Sequence, residues 1–304
     1  MGPKPADPAL IVLAGPTASG KTALAMRLAR KLDAEIVNAD SQQVYRYFDI
    51  GTAKPTAAEL AQVPHHLVSV VDPDEAFSAA HFQKRADAAI EDIRRRSRRV
   101  LVVGGTGLYL RVLLHGVIPA PAANPALRRE LEAEAAEHGR EALHRRLAQV
   151  DPVSAASVKP ADLVRLIRAL EIYEGTGVPV SEHRQRHRFL ENRYRFSLYV
   201  LCPPHDQLYR AIDERAKAMF AGGLLDEVRS LVARGFRSAA PMASVNYVQA
   251  LAVVEGRMTL QAAIASASQH ARRYAKRQLT WFRREAGAMH IVPPYAELEA
   301  AEIG

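Results

Sequence analysis

Eight residues near the start of the chain, Gly15-Pro16-Thr17-Ala18-Ser19-Gly20-Lys21-Thr22, do most to restrict what it can fold into. They complete the pattern G-x-x-x-x-G-K-[ST], which carries meaning only between a strand and a helix. Both neighbours are there. Leu10–Ala14 is a continuous apolar run of strand length, and Lys21–Leu32 repeats Leu24, Leu28 and Leu32 at helical spacing. The glycines permit a tight wrap, successive backbone N–H groups converge on phosphate oxygens, and the helix N-terminus adds positive potential. The expected cradle is Gly15, Thr17, Ala18, Ser19, Gly20, Lys21 and Thr22 around a diphosphate or triphosphate. Lys21 supplies a point charge, and Thr22 offers its hydroxyl to Mg²⁺.

Short apolar runs alternate with amphipathic ones through the first third of the chain. Ile36–Val37 reads as a second strand leading to Asp40. Ser78 reads as the cap of a helix that repeats Phe82, Ala86, Ala89/Ile90 and Ile93, and Val100–Val103 follows as a third strand. Continuous apolar strands separated by helices imply a parallel sheet covered on both faces. From about residue 119 the strands stop. Asn124-Pro125 reads as a helix start, and Leu127/Leu131, Leu143/Leu147 and Leu163/Ile167/Leu170 mark helices ended by Gly139, Asp151-Pro152 and Gly175. A basic run, SEHRQRHRFLENRYR (181–195), reads as solvated or facing an anion. Phe196, Leu198 and Val200 then return to the sheet, followed by helices through Leu208–Phe220, Leu225–Leu231 and Thr259 to about Glu285, with a loose tail after Pro293-Pro294. The expected fold is α/β: a P-loop NTPase-like parallel sheet flanked by helices, with an inserted all-helical subdomain. Residues 1–118 form the first part of the core, 119–193 the insertion, and 194–304 the return to the sheet with the C-terminal helices.

The single cysteine, Cys202, excludes an internal disulfide framework and cysteine-rich zinc modules. No apolar run reaches the ~20 residues of a membrane span. The opening MGPKPADP has no apolar signal core, so a cytoplasmic protein without a membrane partner is expected. Lys and Arg number 41 against 33 Asp and Glu, a net charge of +8 that favours a polyanionic partner, nucleic acid first.

The fate of the phosphate is less direct. An ATPase usually places an Asp at the end of an apolar strand to hold metal and orient water. Here Val100–Val103 runs into Gly104-Gly105-Thr106-Gly107 without a carboxylate, and Asp40, followed by Ser41, Gln42 and Gln43, closes the second strand instead. Strand C-termini line the crevice of an open parallel sheet, so Asp40 and Thr106 should both face the loop. A lone carboxylate beside a phosphoanion suits proton acceptance from a nucleophile; the plainer alternative is that Asp40 caps the following turn.

Taken together, GPTASGKT (15–22), DSQQVY (40–45), DIGTAKP (49–55), VPHHL (63–67), DP (72–73), FSAAHF (77–82), GGTGLY (104–109) and KRQLTWFRR (276–284) resemble the tRNA dimethylallyltransferase, or tRNA isopentenyltransferase, family. The resemblance covers nearly the whole chain in order. It implies transfer of a dimethylallyl group from dimethylallyl diphosphate to N6 of the adenosine just 3′ of the anticodon (position 37), in tRNAs that read codons beginning with U. The loop would then hold a diphosphate leaving group, with Arg215 beside Lys21. Asp40 would be the general base, with Thr17 and Thr106 at the reacting centre. The resemblance further implies that Asp40, Ser41, Gln42, Gln43 and Thr106 meet the flipped base. It places the anticodon stem-loop against the insertion through Arg128, Val164, Arg165, Leu166, Ile167 and Arg168, and against the last helix through Lys276, Arg277, Gln278 and Arg283. On that helix Arg272, Lys276 and Arg283 share one face and Arg273, Arg277 and Arg284 the adjoining one, while Trp281 is read as core. The zinc finger of eukaryotic relatives is missing, as in the bacterial type, and Asn246 stands before Tyr247 where the family commonly has glycine. His65 and His66 lack metal-ligand partners at suitable spacing and read as structural. A monomer is expected. The competing readings are a small-molecule or nucleoside kinase using Asp40 as base, and a non-catalytic RNA-binding protein.

Overall fold

The computed structural model describes residues 9–187, 191–295 and 298, so the opening MGPKPADP, the middle of the basic run and most of the tail lie outside the described residues. Six parallel strands form one sheet in the order β3-β2-β4-β1-β5-β6: β1 (Leu10–Ala14), β2 (Ala34–Asn38), β3 (His65–His66), β4 (Arg99–Gly104), β5 (Phe196–Leu201) and β6 (Met289–Ile291). Strand alternation divides the core between the two faces. Leu10, Val12 and Ala14 of β1 pack with Phe82, Ile90 and Ile93 of α3 (Ala79–Arg95) and with Leu110 and Leu113 of α4 (Gly107–His115). Ile11 and Leu13 face Leu24, Ala25 and Leu28 of α1 (Lys21–Leu32). Thr56 caps the short α2 (Ala57–Gln62), and Ser78 caps α3 by accepting the His81 N–H.

The His65-His66 pair, read from sequence as structural, forms an edge strand. His66 meets the buried Glu35 carboxylate at 2.7 Å, and Arg96 pairs with the same group. The other strand that sequence pattern did not mark, β6, is equally short. The expected loose tail is held where it is described: the Tyr295 hydroxyl donates to Ser19 O at 3.1 Å, and Leu298 is buried against the α1 face. No described helix is long and apolar enough to cross a membrane.

The chain divides into two compact units, residues 115–192 and the remainder. The smaller unit holds α5 (Pro125–His138), α6 (Arg140–Val150), α7 (Pro152–Ser157), α8 (Leu163–Thr176) and α9 (Val180–His187). Asn124 caps α5 and Asp151 caps α7, each followed by proline as the first helical residue. Leu131, Leu143, Leu147, Leu166, Ile167 and Leu170 make its core. Helix α8 runs through Gly175 to Thr176, and Gly177, with a φ of 68°, provides the left-handed cap. The Glu171 carboxylate, buried in this core, is held by Arg128, Arg168 and the Asn124 N–H. Burial acts to raise its pKa, but those hydrogen bonds prevail and leave it below the usual glutamate value.

In the larger unit the C-terminal helices α10 (His205–Ala221), α11 (Leu224–Ala233), α12 (Tyr247–Val254) and α13 (Leu260–Phe282) pack on the loop after β2 through Val44, Phe48, Leu224, Tyr247 and Ala267. Leu208 and Ile212 of α10 meet Ala275 of α13 beside Ala18 of the loop after β1. That contact brings both helices to the C-terminal edge of the sheet.

Candidate active site

A cavity of about 350 Å³ opens at that edge. Thr17, Ala18, Lys21 and Thr22 line one side; Asp40, Ser41, Gln42 and Gln43 line another; Ile212, Arg215, Ala216 and Met219 of α10 and Ala271, Tyr274 and Gln278 of α13 close it. The loop after β1 and the loop after β2, separate in sequence, therefore share one chamber.

The loop wraps as its glycines allow. Gly20 takes φ 85° and starts α1, whose first N–H groups have no partner within the helix. Lys21 Nζ donates to Pro16 O at 2.6 Å and lies 3.5 Å from Ser19 Oγ. Desolvation lowers the Lys21 pKa to about 7; Arg215 beside it acts the same way, and Asp40 opposes them. Arg215 is also lowered by burial, again against Asp40. Two cations withdrawn from water in one chamber are an unfavourable arrangement that a bound polyanion relieves. Ser19 is buried, and Gly15 closes β1, so both shape the loop from behind.

Asp40 Oδ1 accepts the N–H groups of Gln42 at 2.8 Å and Gln43 at 3.4 Å. Turn capping thus uses one carboxylate oxygen, and among the described residues nothing is hydrogen-bonded to the other. Thr106 holds the same loop: its Oγ1 accepts the Ser41 N–H at 3.0 Å and donates to Ser41 Oγ at 3.3 Å. Gln43 spends its amide on Thr52 O and Ala53 O, at 3.1 and 2.9 Å, so it braces the DIGTAKP loop. Gln42 Oε1 is buried in the wall without a hydrogen-bond partner, an acceptor waiting for an N–H donor.

Three residues that pattern alone did not single out complete the chamber. Met219 and Ala271 supply apolar wall, and the Tyr274 phenol faces the cavity near Thr106. Burial raises the Tyr274 phenol to about 12, with Asp40 acting in the same direction and Thr106 against it. Asn246 takes the glycine-like φ of 78° and donates from Nδ2 to Gly51 O at 2.9 Å, so this turn survives the replacement.

Several expected RNA contacts sit differently. Leu166 and Ile167 are core residues of the helical unit, with 0% and 6% exposure, whereas Val164 and Arg165 on the same helix are exposed. Arg128 and Arg168 are committed to Glu171. Gln278 is buried, with its amide bound to Thr17 and Gly105. Arg272 pairs with Asp213, which removes it from the basic stripe. The remaining stripe lines a second groove in which Arg111, Arg273, Lys276, Arg277 and Arg284 surround Trp281, while Arg283 caps α13 outside it. Trp281 is half-buried against Gly107, with the Arg111 guanidinium 4.2 Å from its ring centroid.

Comparison with known proteins is consistent across sequence and structure. The IPP transferase family model matches residues 43–285. A tRNA dimethylallyltransferase of Myxococcus xanthus is 65% identical over 95% of this chain and 94% of its own length. One from Anaeromyxobacter dehalogenans is 56% identical, covering 94% of this chain and 95% of its own. The crystal structure of the tRNA isopentenylpyrophosphate transferase of Bacillus halodurans matches with a TM-score of 0.67 at 40% identity, over 93% of this chain and 89% of the other. A eukaryotic dimethylallyltransferase solved acting on tRNA matches with a TM-score of 0.79 at 27% identity, over 94% of this chain and 74% of the other.

Proposed function

The chain belongs to the IPP transferase family, the tRNA dimethylallyltransferases, and from that premise we propose which of its residues perform the transfer. It is a prenyltransferase acting on tRNA; the reaction we assign to it moves the dimethylallyl group of dimethylallyl diphosphate to N6 of the adenosine 3′ of the anticodon, position 37, in tRNAs reading codons that begin with U. The kinase reading is not favoured.

The observation that carries the residue assignment is the pairing of Lys21 and Arg215 with Asp40 in one desolvated chamber. The N6 lone pair attacks C1 of the dimethylallyl group as the C1–O bond breaks. The electron pair leaves with diphosphate, and the N6 proton passes to the open oxygen of Asp40. Lys21, Arg215 and the N–H groups at the start of α1 neutralise charge growing on the departing oxygens, which is where most of the acceleration should arise. Ile212, Ala216, Met219 and Ala271 offer an apolar wall for the allyl chain, and Gln42 Oε1 would accept from the amino group of the base. A base reached this way must leave its stack.

Thr22 lines the cavity, and no described cluster of three His, Cys, Asp or Glu could hold a metal. A hydroxyl with diphosphate oxygens and waters is a donor set that suits Mg²⁺, which keeps much of its hydration. When bound, Mg²⁺ would add Lewis-acid stabilisation of the leaving group. On the RNA side, Arg165 and Val164 of the helical unit and the groove around Lys276 and Arg277 offer exposed contacts for the anticodon stem-loop. We take the working form to be a cytoplasmic monomer.

Mass spectrometry of nucleosides from an anticodon stem-loop incubated with the protein, Mg²⁺ and dimethylallyl diphosphate tests this reading. Dimethylallyladenosine confined to position 37 is expected. Phosphoryl transfer from labelled ATP to a nucleoside, with no prenylated product, would replace it.

A further inference from the structure

Gln278 lies on α13, far along the chain from the phosphate loop, yet its side chain ends inside that loop. Its Oε1 accepts the Thr17 N–H at 2.9 Å, and its Nε2 donates to Gly105 O, also at 2.9 Å. The residue is 6% exposed, so neither bond competes with bulk water. The two partners fix the amide's orientation, because only the oxygen can accept from Thr17 and only the nitrogen can donate to Gly105. Glycine at 105 is what admits the contact, since a Cβ there would overlap the Gln278 amide.

The consequence for the loop is specific. Successive N–H groups of a phosphate loop form the concavity that holds the anion. Here the one at Thr17 is already spent, which holds the Thr17 backbone against the end of β4 while its residue still lines the cavity. One helical turn earlier on the same face, Tyr274 lines the cavity near Thr106, whose Oγ1 holds Ser41 beside Asp40. A single face of α13 therefore grips the cradle and borders the base-bearing loop.

We propose that Gln278 is a positioning residue of the diphosphate cradle, acting through Thr17, rather than a contact to RNA. The proposal rests on the reading of this chamber as the diphosphate site. Gln278→Met keeps side-chain length but leaves a buried N–H and a buried carbonyl unpaired. It should weaken binding of inorganic pyrophosphate and raise KM for dimethylallyl diphosphate by about tenfold. Affinity for the anticodon stem-loop should stay within twofold of the parent. Gln278→Asn, which stays neutral and keeps the amide but falls one methylene short of Thr17 and Gly105, should lose pyrophosphate affinity in the same direction, and gives a second readout should the methionine variant not fold. Calorimetry with pyrophosphate and with the stem-loop reads both quantities on the full chain. Unchanged pyrophosphate binding in both variants, or a loss confined to the stem-loop, overturns the proposal. Absence of pyrophosphate binding by the parent protein would instead overturn the reading of the chamber.

Discussion

The backbone N–H of Gln42 donates to Asp40 Oδ1 at 2.8 Å, so the turn cap occupies one carboxylate oxygen and leaves the other open. A capping aspartate and a catalytic aspartate are usually alternatives. In this chain the cap fixes the side chain on its own loop, and the proposed mechanism assigns the N6 proton to the second oxygen.

Asp40→Asn tests that division. Asparagine can keep the Oδ1 cap but cannot take the proton. Turnover should fall by about 10²- to 10⁴-fold, while stem-loop affinity and thermal stability stay near those of the parent. Single-turnover assays beside binding titrations would show it. A variant with near-normal kcat would mean that another group is the base.

Lys21→Met and Arg215→Met each remove one of the two cations facing the leaving group. Both should lower kcat/KM for dimethylallyl diphosphate by at least about 100-fold, the scale seen when one stabiliser of a charged transition state is lost. Steady-state kinetics with stem-loop held saturating would isolate this. Little change in either variant would place the diphosphate elsewhere.

Glu171→Gln addresses the helical unit. The buried carboxylate carries hydrogen bonds from Arg128, Arg168 and Asn124, so the substitution should cost about 2 kcal/mol at neutral pH. Its pKa in the fold lies below the ordinary value of 4.5, so its stabilisation is full above that pH and is lost as pH falls through the folded value. The gap between the two proteins should therefore close in acid. Thermal unfolding followed by circular dichroism across pH 3 to about 7 would measure it; a gap independent of pH would contradict the linkage.

Arg165 is exposed on the surface of α8, paired only with the local Asp162, whereas Arg168 is bound into the Glu171 cluster. Arg165→Gln should reduce the salt dependence of stem-loop binding by up to about one unit of slope, without affecting stability. Arg168→Gln should act through stability instead. Equal slopes for parent and Arg165→Gln would make Arg165 a merely solvated charge.

The parts of the chamber that were legible in the sequence are the contiguous ones. The strand, loop and first helix announce themselves because glycine placement and apolar spacing act within 25 residues, from Leu10 to Leu32. Asp40 was legible from its position after an apolar strand. Gln278 and Tyr274 were not, because their roles depend on partners brought close only by packing of α13 on α10 and the sheet. Gln278 also sits among basic residues, and that company pointed toward RNA until its burial became visible. In the segment from Val164 to Arg168, motif resemblance cannot distinguish the exposed residues from Leu166 and Ile167; only helical phase does. The edge strands β3 and β6, two and three residues long, are too short to leave a period.

The division of labour between a cation-lined cradle and a single open carboxylate oxygen is tested most directly by a crystal structure with a non-hydrolysable thio analogue of dimethylallyl diphosphate and an anticodon stem-loop. The diphosphate should lie on Lys21, Arg215 and the start of α1, with Asp40 within hydrogen-bond reach of N6 of the flipped adenosine. A diphosphate bound outside this chamber, or an Asp40 carboxylate turned away from N6, would contradict it.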